Sequence, residues 1–203
     1  MPQGFKYACF VSYCHGQHDL VKAFIEQLKA ALKSELDALL DEELYIDEER
    51  LQPSFRYNEA LAQAICQSVC MIVVYSPRYE RHEYCMREYE AMVKLEEGRR
   101  KLLGPAGRGR GFIIPVILRG GDDVPPRIRE HLHYADFSRF TLATPRLASN
   151  PEYAEEIRKI AQVIYTNYRA FRDAGASPCD DCANFSLPSA PDVAAWRPSF
   201  VNR

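Results

Sequence analysis

The sequence has little that would direct it to nucleic acid or to a membrane. It carries 26 basic and 28 acidic side chains, so the formal net charge is −2. A chain this close to neutral lacks the basic surface on which binding to nucleic acid or to an anionic membrane depends. The Gly/Arg-rich stretch 104–111 has no interleaved aromatic residues and no flanking basic helix. No apolar run approaches the ~20 residues of a membrane-spanning helix, and the residues after Met1 lack the apolar core of a signal peptide. We therefore expect no nucleic-acid partner and no membrane partner.

Disulfide frameworks and metal sites are also poorly represented. The seven cysteines are an odd number. Four of them lie within apolar patterns, as small hydrophobic side chains do: Cys9, Cys66, Cys70 and Cys85. This usage favours a reducing, cytoplasmic location over a set of disulfides. Cys179 and Cys182 form a C-x-x-C pair with no second Cys or His pair nearby. Because a structural zinc site needs four ligands, we expect no metal there.

Strand-like and helix-like segments alternate along most of the chain. Short apolar, β-branched runs predict buried strands at Tyr7–Tyr13, Leu44–Asp47, Cys70–Tyr75, Phe112–Leu118 and around Tyr134–Phe137. Between them, apolar residues at three- and four-residue spacings predict helices, among them a short one from Glu59 to Gln67 and a last one from about Pro151 to Asp173. Such alternation is typical of an α/β fold: a flavodoxin-like, doubly wound and mainly parallel five-stranded sheet with helices on both faces.

The 203 residues are enough for one sizeable domain with an appendage. We expect the domain at residues 1–174 and an irregular tail at 175–203. The tail has four prolines, no helical period and the chain's only tryptophan, Trp196. Its apolar residues indicate that it packs either on the domain or on a second subunit, and the sequence leaves both open.

A candidate site lies in the segment Cys70–Glu97. The buried strand in this segment ends at Ser76-Pro77, because proline has no N–H for the sheet and disfavours helix at the residue before it. A polar loop and then a helix follow, with Glu88 one turn after Tyr84. Open α/β sheets bind ligands beside the carboxyl ends of their strands, which is where this carboxylate is expected. The alternative is that Glu88 is an ordinary solvated helix residue.

Four motifs resemble, in their order and spacing, the signature motifs of TIR (Toll/interleukin-1 receptor) domains. They are F-V-S-Y at residues 10–13 followed by His15 and Asp19, Tyr45–Asp47 with the loop after it, Ser76–Tyr79 followed by Tyr84–Glu88, and Phe112–Leu118 with its internal proline. The resemblance covers about residues 6–173, and it is to the stand-alone bacterial members that act as NADases. Two departures are Tyr84, where the family has tryptophan, and Pro53-Ser54 in the BB loop (residues 47–58), where many members have glycine.

The resemblance implies an activity and a site. TIR enzymes cleave NAD+ at the nicotinamide–ribose bond, and the glutamate of their signature, which corresponds to Glu88, is catalytic. NAD+ is then a substrate, no cofactor is expected, and the products are nicotinamide with ADP-ribose, a cyclic ADP-ribose or a related signal. The substrate-binding residues expected around Glu88 are Tyr13, His15, Asp47, Phe55, Arg56, Ser76 and Tyr84. For several of them a structural role stays open: Phe55 as a core or interface residue, His15 as a helix cap and Asp47 as a support of the BB loop.

The resemblance also implies partners. TIR enzymes self-associate through the BB loop and through the surface of the helix that carries the glutamate (αC in the family). A separate effector senses their product. For this chain, the resemblance implies a role in antiphage immunity. The alternative is a non-catalytic TIR–TIR interaction module, either an adaptor or a mimic that disturbs host signalling. A phospho-receiver domain shares the alternating architecture, but it needs an aspartate at the end of the third strand, where this chain has Tyr75 and Ser76.

Overall fold

In the part of the chain that the computed structural model describes, five parallel strands form one sheet in the order β2-β1-β3-β4-β5. The described residues are 4–14, 19–41, 43–46, 55–131, 133–140, 146–177 and 182–194, with the backbone alone for 43–46, 55, 56 and 194. The strands are β1 (Tyr7–Tyr13), β2 (Glu43–Ile46), β3 (Ser68–Tyr75), β4 (Ile113–Ile117) and β5 (Ala135–Asp136). This sheet confirms the predicted doubly wound α/β fold.

Six helices lie within the described ranges. They are α1 (Asp19–Asp37), α2 (Phe55–Cys66), α3 (Glu83–Leu103), α4 (Pro126–Arg129), α5 (Pro151–Ala174) and α6 (Ala190–Ala194). A single 3-10 turn, Tyr79–Arg81, lies in the connection from β3 to α3. The sequence predicted β1 residue for residue, but α2 begins at Phe55 rather than at Glu59. The expected start was wrong because residues 55–58 lack the apolar spacing that revealed the rest of the helix.

The buried strands divide the core into two layers. Side chains of a strand alternate between the two faces of the sheet, and in β3 Ile72 and Val74 pack on one face while Met71 and Val73 pack on the other. Helices α1 and α5 cover the first face, and α2, α3 and α4 cover the second. All eight residues of β3 are buried. The central strand is therefore covered on both faces.

Pro115 lies inside β4 without breaking its pairing to β3. Its neighbour across the ladder is Val73. The N–H of Leu118 donates to the carbonyl of Tyr75, and the carbonyl of Phe112 accepts from Met71. Because successive residues of a strand point their backbone groups to opposite sides, even-numbered residues of β4 face β3 and Pro115 faces away from it. The missing N–H of proline thus falls on the side of the two-residue edge strand β5.

Within the tail, residues 182–194 pack on the domain. A disulfide joins Cys182 to Cys66 at the end of α2, and both cysteines are buried. Leu187 and Val193 are buried in the same core layer as α2 and α3. The expectation of reduced cysteines is therefore wrong for this pair, because the two partners lie 116 residues apart and only the folded chain brings them together.

The disulfide bears on the predicted cytoplasmic location. Disulfides persist mainly in oxidising compartments, so this bond does not favour that location, which stays a prediction. No described helix is both long and apolar enough to cross a membrane. The boundary between domain and tail at residues 174 and 175 also stays a prediction.

Candidate functional site

The carboxyl ends of β1 and β3 meet at the point where the strand order reverses. The chain runs from β2, on one side of β1, to β3 on the other side. Tyr13 is paired with Val74 in this ladder, so the two strands end side by side. In open parallel sheets, this reversal leaves a crevice outside the strand ends, and that crevice is the usual place for a ligand.

Glu88 lies in the second turn of α3, directed into the protein at this edge. Only 2% of its surface is exposed, so the interpretation of Glu88 as a solvated helix residue is wrong. The Ser12 hydroxyl, from the end of β1, donates to Glu88 Oε2 at 2.6 Å. Burying a carboxylate costs free energy unless such donors replace water. The fold therefore holds an ionisable group in its interior at the crevice.

Tyr79 extends this arrangement into a chain of contacts. Its ring is fully buried, and its hydroxyl oxygen lies 2.7 Å from Ser12 Oγ. The same hydroxyl also lies 3.0 Å from the carbonyl oxygen of Cys85, to which it can donate its proton. Burial, followed by the neighbouring Cys85 and Glu88, raises the pKa of Tyr79 well above its ordinary value. The phenol thus keeps its proton and remains a donor at neutral pH.

Ser76 and Tyr13, both predicted site residues, lie at the same edge. Ser76 directly follows β3 and is 8% exposed, and its hydroxyl has no hydrogen-bond partner among the described residues. The Ser76 carbonyl accepts the backbone N–H of Tyr79 at 2.8 Å. Tyr13 is the last residue of β1, and its carbonyl lies 3.6 Å from the Cys85 sulfur. The structure thus brings Tyr13 and Ser76 next to the chain of contacts that ends at Glu88.

Tyr84 lies one helical turn before Glu88 and is half-buried. The Arg87 guanidinium stacks over its ring at 5.2 Å from the centroid. Arg87 Nε also donates to the carbonyl of Pro188 in the tail at 2.7 Å. Tyr84 therefore stands at the site's edge in contact with a residue that binds the tail.

The other predicted site residues are less completely placed. Phe55 and Arg56 are the first two residues of α2, so in the structure they belong to a helix, within the range 47–58 expected to form the BB loop. His15 and Asp47 lie outside the described residues. Among the described residues, no group of three or more His, Cys, Asp or Glu side chains is arranged to hold a metal ion.

Sequence reasoning missed Ser12 and Tyr79 as site residues. Both belong to motifs that the sequence displays, F-V-S-Y and S-P-R-Y. The available signal was a hydroxyl residue inside an otherwise apolar strand, one position before its end. The partner of Ser12 is Glu88, which lies 76 residues away in the sequence, and only the fold brings the two together.

Comparisons with known proteins identify the family. A family model described as "TIR domain" matches residues 9–148, more than half of the chain. Among solved structures, the chain is similar to the TIR domains of "Structure of the activated Roq1 resistosome directly recognizing the pathogen effector XopQ". That similarity has 18% identity and a TM-score of 0.39, and covers 76% of this chain and 82% of that one. No curated protein matches the chain. On the evidence of the family model, together with the sheet order and the signature motifs, the chain belongs to the TIR domain family.

Proposed function

We propose that the chain is an NADase that cleaves NAD+ at the nicotinamide–ribose bond, with Glu88 as the catalytic residue. The observation that carries this proposal is a buried glutamate that receives a hydrogen bond from Ser12 at the crevice of the sheet. Buried, hydrogen-bonded ionisable groups in such crevices are characteristic of functional sites. Membership of the TIR family, which includes NAD+-cleaving enzymes, supports the same assignment.

The proposed reaction needs one carboxylate and no general acid. When the bond between ribose C1′ and the pyridinium nitrogen breaks, its electron pair stays on nitrogen and nicotinamide leaves as a neutral molecule. The ribosyl centre becomes oxocarbenium-like, as in glycoside cleavage. A carboxylate beside the ribose hydroxyls orients the sugar and stabilises this positive charge. Water then bonds to C1′ and releases one proton, which gives ADP-ribose, whereas attack by an adenine nitrogen gives a cyclic product.

Substrate access to Glu88 requires movement. Because 2% of the residue is exposed, the ribose reaches the carboxylate only after the side chains that cover it are displaced. Such displacement would couple turnover to an activation step. We propose that self-association through the BB loop and the surface of α3 supplies this step, in a role in immunity that releases a nucleotide signal or depletes NAD+.

The test is NAD+ consumption by the purified full chain at high concentration, with products separated by chromatography. Glu88→Gln removes the negative charge at nearly constant volume, and we expect turnover to fall about 100-fold or more. Glu96→Gln is the matched control, since Glu96 is also buried on α3 but accepts the backbone N–H of Phe112 at 2.7 Å. Turnover that survives in Glu88→Gln would remove the assignment.

A non-catalytic TIR–TIR interaction module is the second candidate. The 2% exposure of Glu88 favours it, because a residue that only holds α3 against β1 through Ser12 does not need to be reached by a substrate. Absence of NAD+ turnover in the self-associated protein, together with retained binding to a second TIR domain, would establish this reading.

A further inference from the structure

The chain of contacts that reaches Glu88 begins and ends on the same helix. Cys85 and Glu88 are both in α3, whereas Ser12 comes from β1 and Tyr79 from the turn after β3. The contacts run from the Cys85 carbonyl to Tyr79 (3.0 Å), from Tyr79 to Ser12 (2.7 Å) and from Ser12 to Glu88 (2.6 Å). The side chains of Ser12, Tyr79 and Glu88 are all at most 2% exposed. These buried contacts therefore fix the orientation of Glu88, on α3, relative to β1 and to the turn after β3.

Counting protons gives the direction of these contacts. Ser12 and Tyr79 carry one hydroxyl proton each, for three contacts, and the carbonyl oxygen of Cys85 can only accept. When Ser12 donates to Glu88, the Tyr79 proton serves either Ser12 Oγ or the Cys85 carbonyl. A hydroxyl that accepts one hydrogen bond becomes a stronger donor in the next, because the two bonds polarise each other. Ser12 thus acts on Glu88 directly. Tyr79 acts on Glu88 through Ser12 in the arrangement in which its proton goes to Ser12 Oγ.

We propose that Ser12 and Tyr79 are positioning residues for Glu88, which hold its carboxylate in one orientation and stabilise its charged form with a donated proton. This inference rests on the proposed NADase function, in which the charged carboxylate faces the ribosyl centre. Neither residue needs to touch the substrate. Their order along the chain of contacts predicts a graded effect, with Ser12 the larger and Tyr79 the smaller.

Kinetics of two variants test the gradation. A hydrogen bond to a charged group contributes about 1.5–3 kcal/mol, so Ser12→Ala should lower kcat about 10- to 100-fold, at 1.36 kcal/mol for each factor of ten. Tyr79→Phe leaves the Ser12 donor in place and should lower kcat about 2- to 5-fold. KM should change less than kcat in both, and the acid limb of the pH–rate profile should move to higher pH. The titratable groups that affect the pKa of Tyr79 are Cys85, Glu88 and Tyr89. Of these three residue types, the carboxylate is the one that ordinarily titrates in the acid range, so a shift of the acid limb reports on Glu88.

Two buried residues of the same types provide matched controls. Ser68 is fully buried at the opposite end of β3 and donates to the Ala64 carbonyl at 2.7 Å. Tyr153 is fully buried, and its hydroxyl has no partner for a hydrogen bond in the part of the chain that the structure describes. Ser68→Ala and Tyr153→Phe make the same chemical changes outside the chain of contacts that reaches Glu88. They should leave kcat and the pH profile unchanged, whatever they do to thermal stability.

A measurement without turnover separates this inference from the proposed function. The ¹³C shift of the Glu88 carboxyl carbon, assigned by its loss in Glu88→Gln, reports protonation of the residue directly. Its titration should move to higher pH in Ser12→Ala, by a smaller amount in Tyr79→Phe, and not at all in the two controls. If the wild-type protein has no NADase activity, the proposed function fails while this titration still tests the positioning. Titrations that coincide in all variants, or a Tyr79→Phe effect larger than that of Ser12→Ala, would overturn the inference.

Discussion

The Cys66–Cys182 disulfide gives a prediction whose magnitude follows from the fold. The bond joins residues 116 positions apart and attaches the tail to the end of α2. In the chain-entropy description, a disulfide that closes a loop of that length stabilises the folded protein by about 5 kcal/mol at 25 °C, because it restricts the unfolded chain. Loss of a native disulfide typically costs about 2–5 kcal/mol. For a chain of this size, 1 kcal/mol shifts the melting temperature by roughly 2–4 °C. We therefore expect reduction of the bond to lower Tm by about 5–20 °C.

Thermal unfolding with and without dithiothreitol measures this shift, and peptide mapping without reduction detects the linked peptides. The Cys66→Ser/Cys182→Ser double variant should melt at the lower temperature and should not respond to the reductant. The four other cysteines in the described residues are buried thiols, so they should resist alkylation until the protein unfolds. If the wild-type protein shows alkylated Cys66 and Cys182 before reduction, and the same Tm in both conditions, the structural reasoning about the tail is refuted.

Two further predictions concern pH and backbone conformation. Burial lowers the pKa of His131 to about 4, whereas an unfolded histidine titrates near ~6.5. The unfolded chain therefore binds the proton first as pH falls, so the free energy of unfolding should be full above about pH 6.5, decline towards pH 4 and level off below it. Urea denaturation should show that decline reduced in His131→Gln. Gly120 has φ +73°, and an added Cβ would lie 2.5 Å from Pro77 Cγ. Gly120→Ala should therefore lower the free energy of unfolding by about 1–3 kcal/mol, while Gly121→Ala, with open space around it, should change it by less than about 0.5 kcal/mol.

The outlines of the fold could be predicted because each strand displays its environment locally. β3 is an unbroken run of buried residues, which is how a strand covered on both faces appears in sequence. Helix α5 has its N-cap at Asn150, whose side chain accepts two backbone N–H groups, and ends at Gly175 with φ 58°. These signals depend on residues within one turn of each other. Such elements can be predicted without knowledge of the rest of the molecule.

The candidate site could be predicted only in part. The position of Glu88 after the third strand marks it in the sequence, whereas its catalytic role and the substrate-binding roles of Ser76 and Tyr13 are implied by the resemblance to TIR domains. Ser12 and Tyr79 were not identified, because a hydroxyl in an apolar strand has no assignable partner until the strands are paired. The sequence also left open whether Glu88 is solvated, and its environment in the folded chain decides that.

The sequence by itself determined the order of strands and helices, the family signature and the position of a carboxylate at a strand end, since each depends on short-range periodicity and spacing. The tertiary structure alone decided that Glu88 is buried, that Ser12 and Tyr79 reach it, and that Cys66 is bonded to Cys182. All three depend on contacts between residues far apart in the chain. The physical reason is that the burial of a side chain and a bond between two elements arise only when those elements pack together, since no local segment contains both partners.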